Sequence, residues 1–159
     1  MKSLVVYYSL TGKTKLVAQA IAETLNATLV EITERRPIPI PFVYLSGGFR
    51  ALTNRGSKIN PIDVDPKQYE RIFIGSPTWG SRPAPAVNSF IYQTNFEGQS
   101  VIPFFTMGGD NAEGALANIT TKIEKSKGKV AGSFAISSSR VSDEGIIAKA
   151  KEVAQKYSS

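Results

Sequence analysis

The chain has 159 residues, of which 42% are hydrophobic and 20% charged, and its formal net charge is +6. This length and composition are typical of one globular domain, so we expect residues 1–159 to form a single domain. The chain has no Cys and no His, which excludes disulfide bonds, thiol catalysis and the commonest metal ligands. Any redox or group-transfer chemistry is therefore expected to come from a bound cofactor.

The basic residues are spread along the chain without a dense run, so the charge predicts acidic protein partners rather than nucleic acid. No apolar run approaches the roughly 20 residues of a membrane span. The first residues, MKSLVVYYS, have too short an apolar stretch for a signal peptide. We therefore expect a cytoplasmic protein, monomeric or weakly dimeric, that does not bind membranes.

Five apolar segments alternate with helical patterns along the chain. The predicted strands are SLVVYYS (3–9), ATLVEI (27–32), ERIFIGS (70–76), SVIPFFT (100–106) and KVAGSFAIS (129–137). The predicted helices are GKTKLVAQAIAETL (12–25), APAVNSFIYQ (84–93), NAEGALANITTKIEKS (111–126) and SDEGIIAKAKEVAQKY (142–157), the last with Ser142 as its N-cap. This alternation predicts an α/β fold of three layers, with a five-stranded parallel sheet between helices.

One stretch, at about residues 34–66, interrupts the alternation where a crossover helix is expected. Three closely spaced prolines preclude a regular helix at its start. The segment GGFRALTNRG (47–56) has room for only a short helical piece. This irregular excursion is expected to shape a ligand site, to dock a partner, or to be a surface insertion.

Ligands of open α/β sheets bind beyond the carboxyl ends of the strands, which here carry the loops SLTGKT, SPTWGSRPAP and TMGGDN. The first loop is not the triphosphate loop of ATPases, because that motif needs a glycine where this chain has Tyr7. Instead, three hydroxyls (Ser9, Thr11 and Thr14) surround Gly12 at the start of a helix. Free N–H groups and the helix dipole attract an anion there. The loop therefore predicts a phosphate site, whereas ordinary N-capping would explain only one hydroxyl.

The other two loops suggest a flat ligand. Trp79 lies between Thr78 and Gly80, where it would either cap the core or present a face to a planar ring. The third loop has two glycines that let backbone groups approach a ligand edge. Taken together, the three loops predict a phosphorylated planar ring.

At these residues the sequence resembles the flavodoxin family, whose phosphate loop [ST]-x-T-G-x-T is matched by Ser9-Leu10-Thr11-Gly12-Lys13-Thr14. The segments GSPTWG and PFFTMGG resemble the family's second and third flavin loops. The resemblance implies a flavodoxin-like sheet of order 2-1-3-4-5 with FMN at the switch point, an arrangement for which flavodoxin is itself the usual illustration.

The resemblance also implies roles for particular residues. The first loop would hold the FMN phosphate, with Lys13 as a variable, solvent-facing position. The second loop would border the isoalloxazine, with Trp79 stacked on one face and the Gly80–Ser81 peptide turning to hydrogen-bond N5 on reduction. The third would meet the pyrimidine edge through its backbone. The implied cofactor-binding residues are Ser9, Leu10, Thr11, Gly12, Lys13, Thr14, Pro77, Thr78, Trp79, Gly80, Thr106, Met107, Gly108, Gly109 and Asp110.

The chain departs from the family in two respects. Met107 stands where many flavodoxins place a stacking Tyr, so Phe42, Tyr44 or Phe49 of the excursion would either cover the second flavin face or pack in the core. The family's well-known members are acidic around the flavin, whereas this chain is basic and has Arg82 just after the second loop. Positive charge there would make the flavin easier to reduce.

The resemblance implies an electron carrier that shuttles electrons between redox partner proteins. An FMN-dependent NAD(P)H quinone or nitro reductase remains an alternative, because it would use the same site with an open flavin face. A phosphoacceptor signalling domain would need an Asp where the third strand ends in Gly75-Ser76. A dinucleotide-binding fold would need G-x-G-x-x-G after the first strand, where only one Gly is present.

Overall fold

A computed structural model of the chain describes residues 1–37, 39–42, 45 and 54–159. The strands are β1 (Ser3–Tyr7), β2 (Thr28–Glu31), β3 (Arg71–Pro77), β4 (Ser100–Met107), β5 (Lys129–Val130) and β6 (Phe134–Ser137). The helices are α1 (Lys13–Leu25), α2 (Pro85–Gln93), α3 (Glu113–Lys125) and α4 (Asp143–Gln155), with single turns at Ile40–Phe42 and Pro66–Gln68. In these described ranges, no helix combines the length and apolar character needed to cross a membrane.

The strands form one parallel sheet in the order β2-β1-β3-β4-β5, with β6 also paired to β4. The predicted order 2-1-3-4-5 is thus confirmed. The order in which strands are added to the sheet reverses at β1, because β2 lies on one side of it and β3 on the other. The carboxyl ends of β1 and β3 therefore border the crevice in which such sheets bind ligands.

The fifth strand differs from the prediction, because it is two short strands rather than one from Lys129 to Ser137. Val101 pairs with Val130 and Phe104 with Phe134, so the outer chain accommodates one residue more than β4 between these pairs. An extra residue of this kind is a bulge, which interrupts the ladder. Gly132 lies in the break, and a Cβ there would come within 2.4 Å of the Tyr157 hydroxyl. The last residues of the chain thus occupy the space that a regular strand with a side chain would need.

Two apolar layers cover the sheet, as the side-chain alternation of β1 shows. Leu4 and Val6 face the layer that contains Phe90 of α2 and Ile119 of α3. Val5 and Tyr7 belong to the layer on the other face, whose helical members come from α1 and α4 and include Val17, Ile21, Ile146 and Ala150. Each face is apolar because each is covered by a helix pair, and this explains why β1 reads as a continuous hydrophobic run.

The excursion is irregular, as predicted, in its described part. Residues 34–35, at its start, pair with residues 58–59. Glu34 and Ile59 form an antiparallel bridge, and Arg35 N–H donates to the Lys58 carbonyl at 2.9 Å. The helical piece expected at 47–56 lies mostly outside the described residues, as do Tyr44 and Phe49. Phe42 is 59% exposed, so it is not a core residue.

Candidate functional site

The three predicted loops meet at the carboxyl edge of the sheet and enclose a pocket of about 210 Å³. The pocket lies where β1, β3 and β4 end, which is the position expected from the strand order. It is lined by Leu10, Thr11, Lys13, Pro77, Thr78, Trp79, Thr106, Met107, Gly108 and Ser138. The structure thus brings nine of the fifteen predicted site residues to one pocket wall.

The first loop presents unused backbone donors at the start of α1. Gly12 has φ +96°, a left-handed conformation that suits glycine, and its missing side chain leaves open space. The N–H groups of Thr11, Lys13 and Thr14 donate to no acceptor in the described part of the chain. Free N–H groups at a helix N-terminus favour an anion, so the local geometry suits a phosphate.

The hydroxyls of Ser9 and Thr14 make hydrogen bonds within the protein, and their predicted contacts with a phosphate stay predictions. The Ser9 hydroxyl accepts hydrogen bonds from the N–H groups of Gly12 and Lys15, at 3.1 and 3.3 Å, and so shapes the loop as a capping group. Thr14 is 1% exposed and its hydroxyl lies 2.7 Å from that of Thr106. Of the three hydroxyls, only that of Thr11 is exposed and lines the pocket.

Lys13 lines the pocket and is not simply solvent-facing. Its ammonium lies 2.6 Å from a carboxylate oxygen of Asp143, which is the first residue of α4. Ser142 caps that helix as predicted, by accepting a hydrogen bond from Gly145 N–H at 3.1 Å. Lys13 is the one charged residue among those that line the pocket, and its charge is paired with Asp143 outside the lining, so the lining itself contains no carboxylate.

The second loop is a tight hairpin that holds Trp79. Thr78 and Pro83 form an antiparallel bridge, and Trp79 and Arg82 exchange backbone hydrogen bonds of 2.8 and 3.1 Å. The two central residues, Gly80 and Ser81, have φ values of 54° and 60°. Positive φ at both positions is the conformation of a type I′ turn, in which only the first residue here is a glycine. The shape of the loop is therefore defined by its own backbone hydrogen bonds.

The ring of Trp79 packs edge-on against Tyr8, with 6.3 Å between centroids and 79° between planes. Trp79 is half-buried and lines the pocket. The sequence left open whether Trp79 caps the core or presents a face to a ligand. Trp79 both packs against the core and lines the pocket. Gly80 is exposed and does not line the pocket.

The third loop contributes Thr106, Met107 and Gly108, whereas Gly109 and Asp110 are exposed and lie outside the pocket lining. Ser138 completes the wall, and its N–H and hydroxyl both donate to the Met107 carbonyl, at 2.8 and 3.2 Å. The sequence analysis missed Ser138. The signal was available, because Ser138 directly follows a predicted strand and therefore lies at the same sheet edge.

Arg82 points away from the pocket, although it follows the second loop. Its guanidinium donates to the Asn54 side chain and does not line the pocket. The expectation that Arg82 adds positive charge beside the ligand is therefore not supported by its contacts. Lys13 occupies that position instead.

This sheet order, with a phosphate-type loop and an aromatic loop at the switch point, defines the class of flavodoxin-like α/β proteins. A sequence model of the flavodoxin family matches residues 49–143, more than half of the chain, and the chain belongs to that family. None of the curated proteins compared with the chain matches it.

Solved structures share the fold at low sequence identity. A flavoprotein of Lactobacillus acidophilus, solved in complex with FMN, is 24% identical, with a TM-score of 0.75 over 84% of this chain and 92% of that chain. Oxidised flavodoxin 2 of Bacillus cereus is 18% identical, with a TM-score of 0.62 over 99% and 97%. A WrbA-like flavodoxin of Agrobacterium tumefaciens is 19% identical, with a TM-score of 0.62 over 98% and 96%.

Proposed function

We propose that the chain binds FMN non-covalently in this pocket and carries electrons between redox proteins. One observation carries the proposal: unused N–H groups around Gly12 lie across the same pocket from the Trp79 ring. A phosphate group fits the first and a flat ring fits the second. FMN has both, and it is the ligand of the Lactobacillus acidophilus flavoprotein that shares the fold.

The donor set also suits the two ends of FMN. The N–H groups of Thr11, Lys13 and Thr14, with the Thr11 hydroxyl, would hold the phosphate. Trp79 would cover one face of the isoalloxazine, and backbone groups of Thr106 to Gly108 would meet its polar edge. Bound FMN supplies one- and two-electron redox chemistry, and the protein orients it and restricts access to it.

The partners of a carrier would be acidic proteins. The net charge of +6 gives an attractive long-range field for a negatively charged surface. Association rates with such partners should fall steeply as salt is added, because the Debye length shrinks from about 10 Å at 0.1 M to about 3 Å at 1 M. Salt-independent rates would argue against electrostatic docking.

The direct test is to purify the protein, add FMN and follow flavin absorption through gel filtration. Co-elution of about one FMN for each chain supports the proposal. A protein that elutes colourless after incubation with FMN would contradict it. Redox titration of the loaded protein then tests the charge argument: with no carboxylate in the pocket lining and a net charge of +6, the potentials should be less negative than those of an acidic flavodoxin.

An FMN-dependent NAD(P)H quinone or nitro reductase is a second candidate, and one observation favours it. Met107 and Gly108 line the pocket, Gly108 is exposed, and a Cβ built on Gly108 meets nothing within 4 Å. Among the residues that line the pocket, Trp79 is the one aromatic. As far as the described residues go, one flavin face would then be open to a hydride donor; Tyr44 and Phe49 lie outside the described part of the chain. Stopped-flow mixing with NADH and NADPH separates the candidates, since rapid flavin bleaching identifies a reductase and slow bleaching a carrier.

A further inference from the structure

Two cations lie together outside the pocket described above, at Lys122 on α3 and at Arg82. Lys122 is only 6% exposed. Its ammonium donates to the side-chain oxygen of Asn54 at 2.9 Å and to that of Asn118. The Arg82 guanidinium donates to the same Asn54 oxygen. Two positive charges therefore share one neutral acceptor.

No carboxylate neutralises this pair. All thirteen Asp and Glu residues of the chain lie in its described part, and none of them forms an ion pair with Lys122 or Arg82. Buried charges in proteins are normally paired, because an unpaired buried ion has lost its hydration without compensation. Burial and, to a lesser extent, the Arg82 charge lower the pKa of Lys122 to about 8. The site is thus short of one negative group.

The position of these groups is fixed by the end of the excursion. Side chains on α2 bind three carbonyls of the segment 54–57: Tyr92 binds that of Asn54, Asn88 that of Arg55 and Ser89 that of Ser57. Gly56 lets the segment approach, because a Cβ there would lie 2.2 Å from the Ser89 hydroxyl. Asn54 is thereby placed between the two cations.

A pocket of about 330 Å³ opens beside the pair. Its lining is rich in hydrogen-bond donors: Asn54, Tyr92, Asn118, Thr121, Lys122 and Lys125. Lys125 lies one turn beyond Lys122 on the same helix, so a second ammonium faces the same space. Its volume exceeds that of a single phosphate, which leaves room for a small molecule attached to one.

We propose that this pocket binds a phosphate-type oxyanion, with Lys122 as its central contact. The ligand supplies the negative charge that the chain lacks at Arg82 and Lys122. Oxyanions suit the site because the ammonium groups of Lys122 and Lys125 and the side-chain amide of Asn54 belong to residues that line it. The Tyr92 and Thr121 hydroxyls and the Asn118 amide nitrogen donate to acceptors within the protein. The site is separate from the first loop, since the two pockets have no lining residue in common.

The test is calorimetric titration of the FMN-loaded protein with inorganic phosphate and sulfate at constant ionic strength, with chloride as the reference anion. Saturable binding of one phosphate or sulfate is expected. Lys122→Met removes the charge and retains the length of the side chain, and it should weaken binding about tenfold or more. Lys149→Met is the matched control, because Lys149 is an exposed lysine on α4, and it should change nothing. Both variants leave the first loop intact.

Asn118→Asp is a second variant that keeps Lys122 in place. The new carboxylate would neutralise the ammonium from within the chain and should also abolish anion binding. Titrations with AMP and adenosine show whether the natural ligand is free phosphate or a phosphorylated small molecule. If it is a phosphorylated small molecule, AMP should bind more tightly than phosphate, and adenosine, which lacks the phosphate, should bind weakly. The proposal is overturned if wild type shows no saturable binding of either oxyanion, or if Lys122→Met and Asn118→Asp bind as well as Lys149→Met.

Discussion

The hydroxyls of Thr14 and Thr106, which are 92 positions apart in the chain, share a buried hydrogen bond of 2.7 Å. Thr14 is the second residue of α1, and Thr106 lies at the carboxyl end of β4. Their bond joins the first loop directly to the third. The two parts of the predicted FMN site are therefore positioned relative to each other by the protein itself.

The two hydroxyls of this pair should be energetically coupled, because each is the buried hydrogen-bond partner of the other. Thr14→Val or Thr106→Val leaves a buried hydroxyl without its partner, at a cost of about 1–3 kcal/mol in unfolding free energy. The double variant removes both hydroxyls and should be destabilised by less than the sum of the two. Urea unfolding of the four proteins gives the coupling energy. Additive effects would show that the bond contributes nothing, and Thr11→Val, at an exposed hydroxyl, is the neutral control.

Gly12 should matter for FMN binding through its backbone conformation. At φ +96° a residue with a side chain is strained by about 1–2 kcal/mol, although a Cβ would meet open space. Gly12→Val should therefore weaken FMN binding by about tenfold or more, measured by quenching of flavin fluorescence. Gly109→Ala is the control, because that glycine also has open space, lacks a positive φ and lies outside the pocket lining. Equal affinities for Gly12→Val and wild type would place the phosphate elsewhere.

Lys13 should contribute little to FMN binding, although it lines the pocket. Its ion pair with Asp143 is partly exposed, with 38% of the Lys13 side chain accessible, and such pairs are worth about 0–1 kcal/mol. Lys13→Ala should weaken FMN binding by no more than about fivefold. Asp143→Asn breaks the same ion pair and leaves the ammonium available to the phosphate. A loss beyond tenfold in Lys13→Ala alone would show that Lys13 holds the phosphate directly.

Trp79 should contribute through the face of its ring. Trp79→Ala should weaken FMN binding by about three- to tenfold, because aromatic stacking adds about 0.5–1.5 kcal/mol beyond area burial. Trp79→Phe keeps a ring and should retain most of the affinity. Tyr92→Phe, at an aromatic residue of the other pocket, serves as the control. If Trp79→Ala binds FMN like wild type, the ring caps the core and does not contact the flavin.

The buried positive charge of Lys122 should lower the free energy of unfolding at neutral pH, and this effect should become smaller as the pH rises. Its pKa is lowered from 10.5 to about 8 in the folded protein, so between pH 8 and 10.5 the unfolded chain binds the proton that the folded chain has lost. The contribution of Lys122 to the free energy of unfolding therefore rises with pH between pH 8 and 10.5. In chloride buffers, the free energy of unfolding of wild type should therefore rise relative to that of Lys122→Met as the pH increases from 7 to 10.

Urea unfolding at pH 7, 8, 9 and 10 measures that difference. Burial, helped by Glu31, raises the pKa of Tyr7 to about 12, which lowers stability above pH 10 in both proteins and cancels in the comparison. A constant difference between the two proteins from pH 7 to 10 would contradict a lowered Lys122 pKa. Lys149→Met should match wild type throughout.

The sheet and the position of the site were predictable because both follow from local patterns. A buried apolar run such as that of β1 and the spacing around Gly12 are visible in a few consecutive residues. The break in the fifth strand was not predictable, since neither the extra residue relative to β4 nor the contact of Gly132 with the distant Tyr157 is visible in consecutive residues. Local patterns do not record which distant side chain fills a given space.

The same limit applies to individual side chains at the site. The sequence groups Ser9, Thr11 and Thr14 by spacing, but Thr14 bonds to a residue of β4, and this partner depends on how α1 packs on the sheet. Lys122 reads as one lysine on a solvated helix face. It becomes unusual only when Arg82 and Asn54, from two other parts of the chain, are brought beside it.

The pairing of residues 34–35 with residues 58–59 means that the stretch between them can change in length or sequence without changing the rest of the fold. Because Glu34 bridges Ile59 and Arg35 bonds to Lys58, the stretch between Arg35 and Lys58 is closed at its base, outside the sheet. The entropy of closing such a loop rises slowly, by about 0.6 kcal/mol for each doubling of length. A longer or shorter stretch between Arg35 and Lys58 should therefore leave the sheet unaltered. Each exchange would replace Asn54, so the basic pocket belongs to this version of the loop and not to the fold.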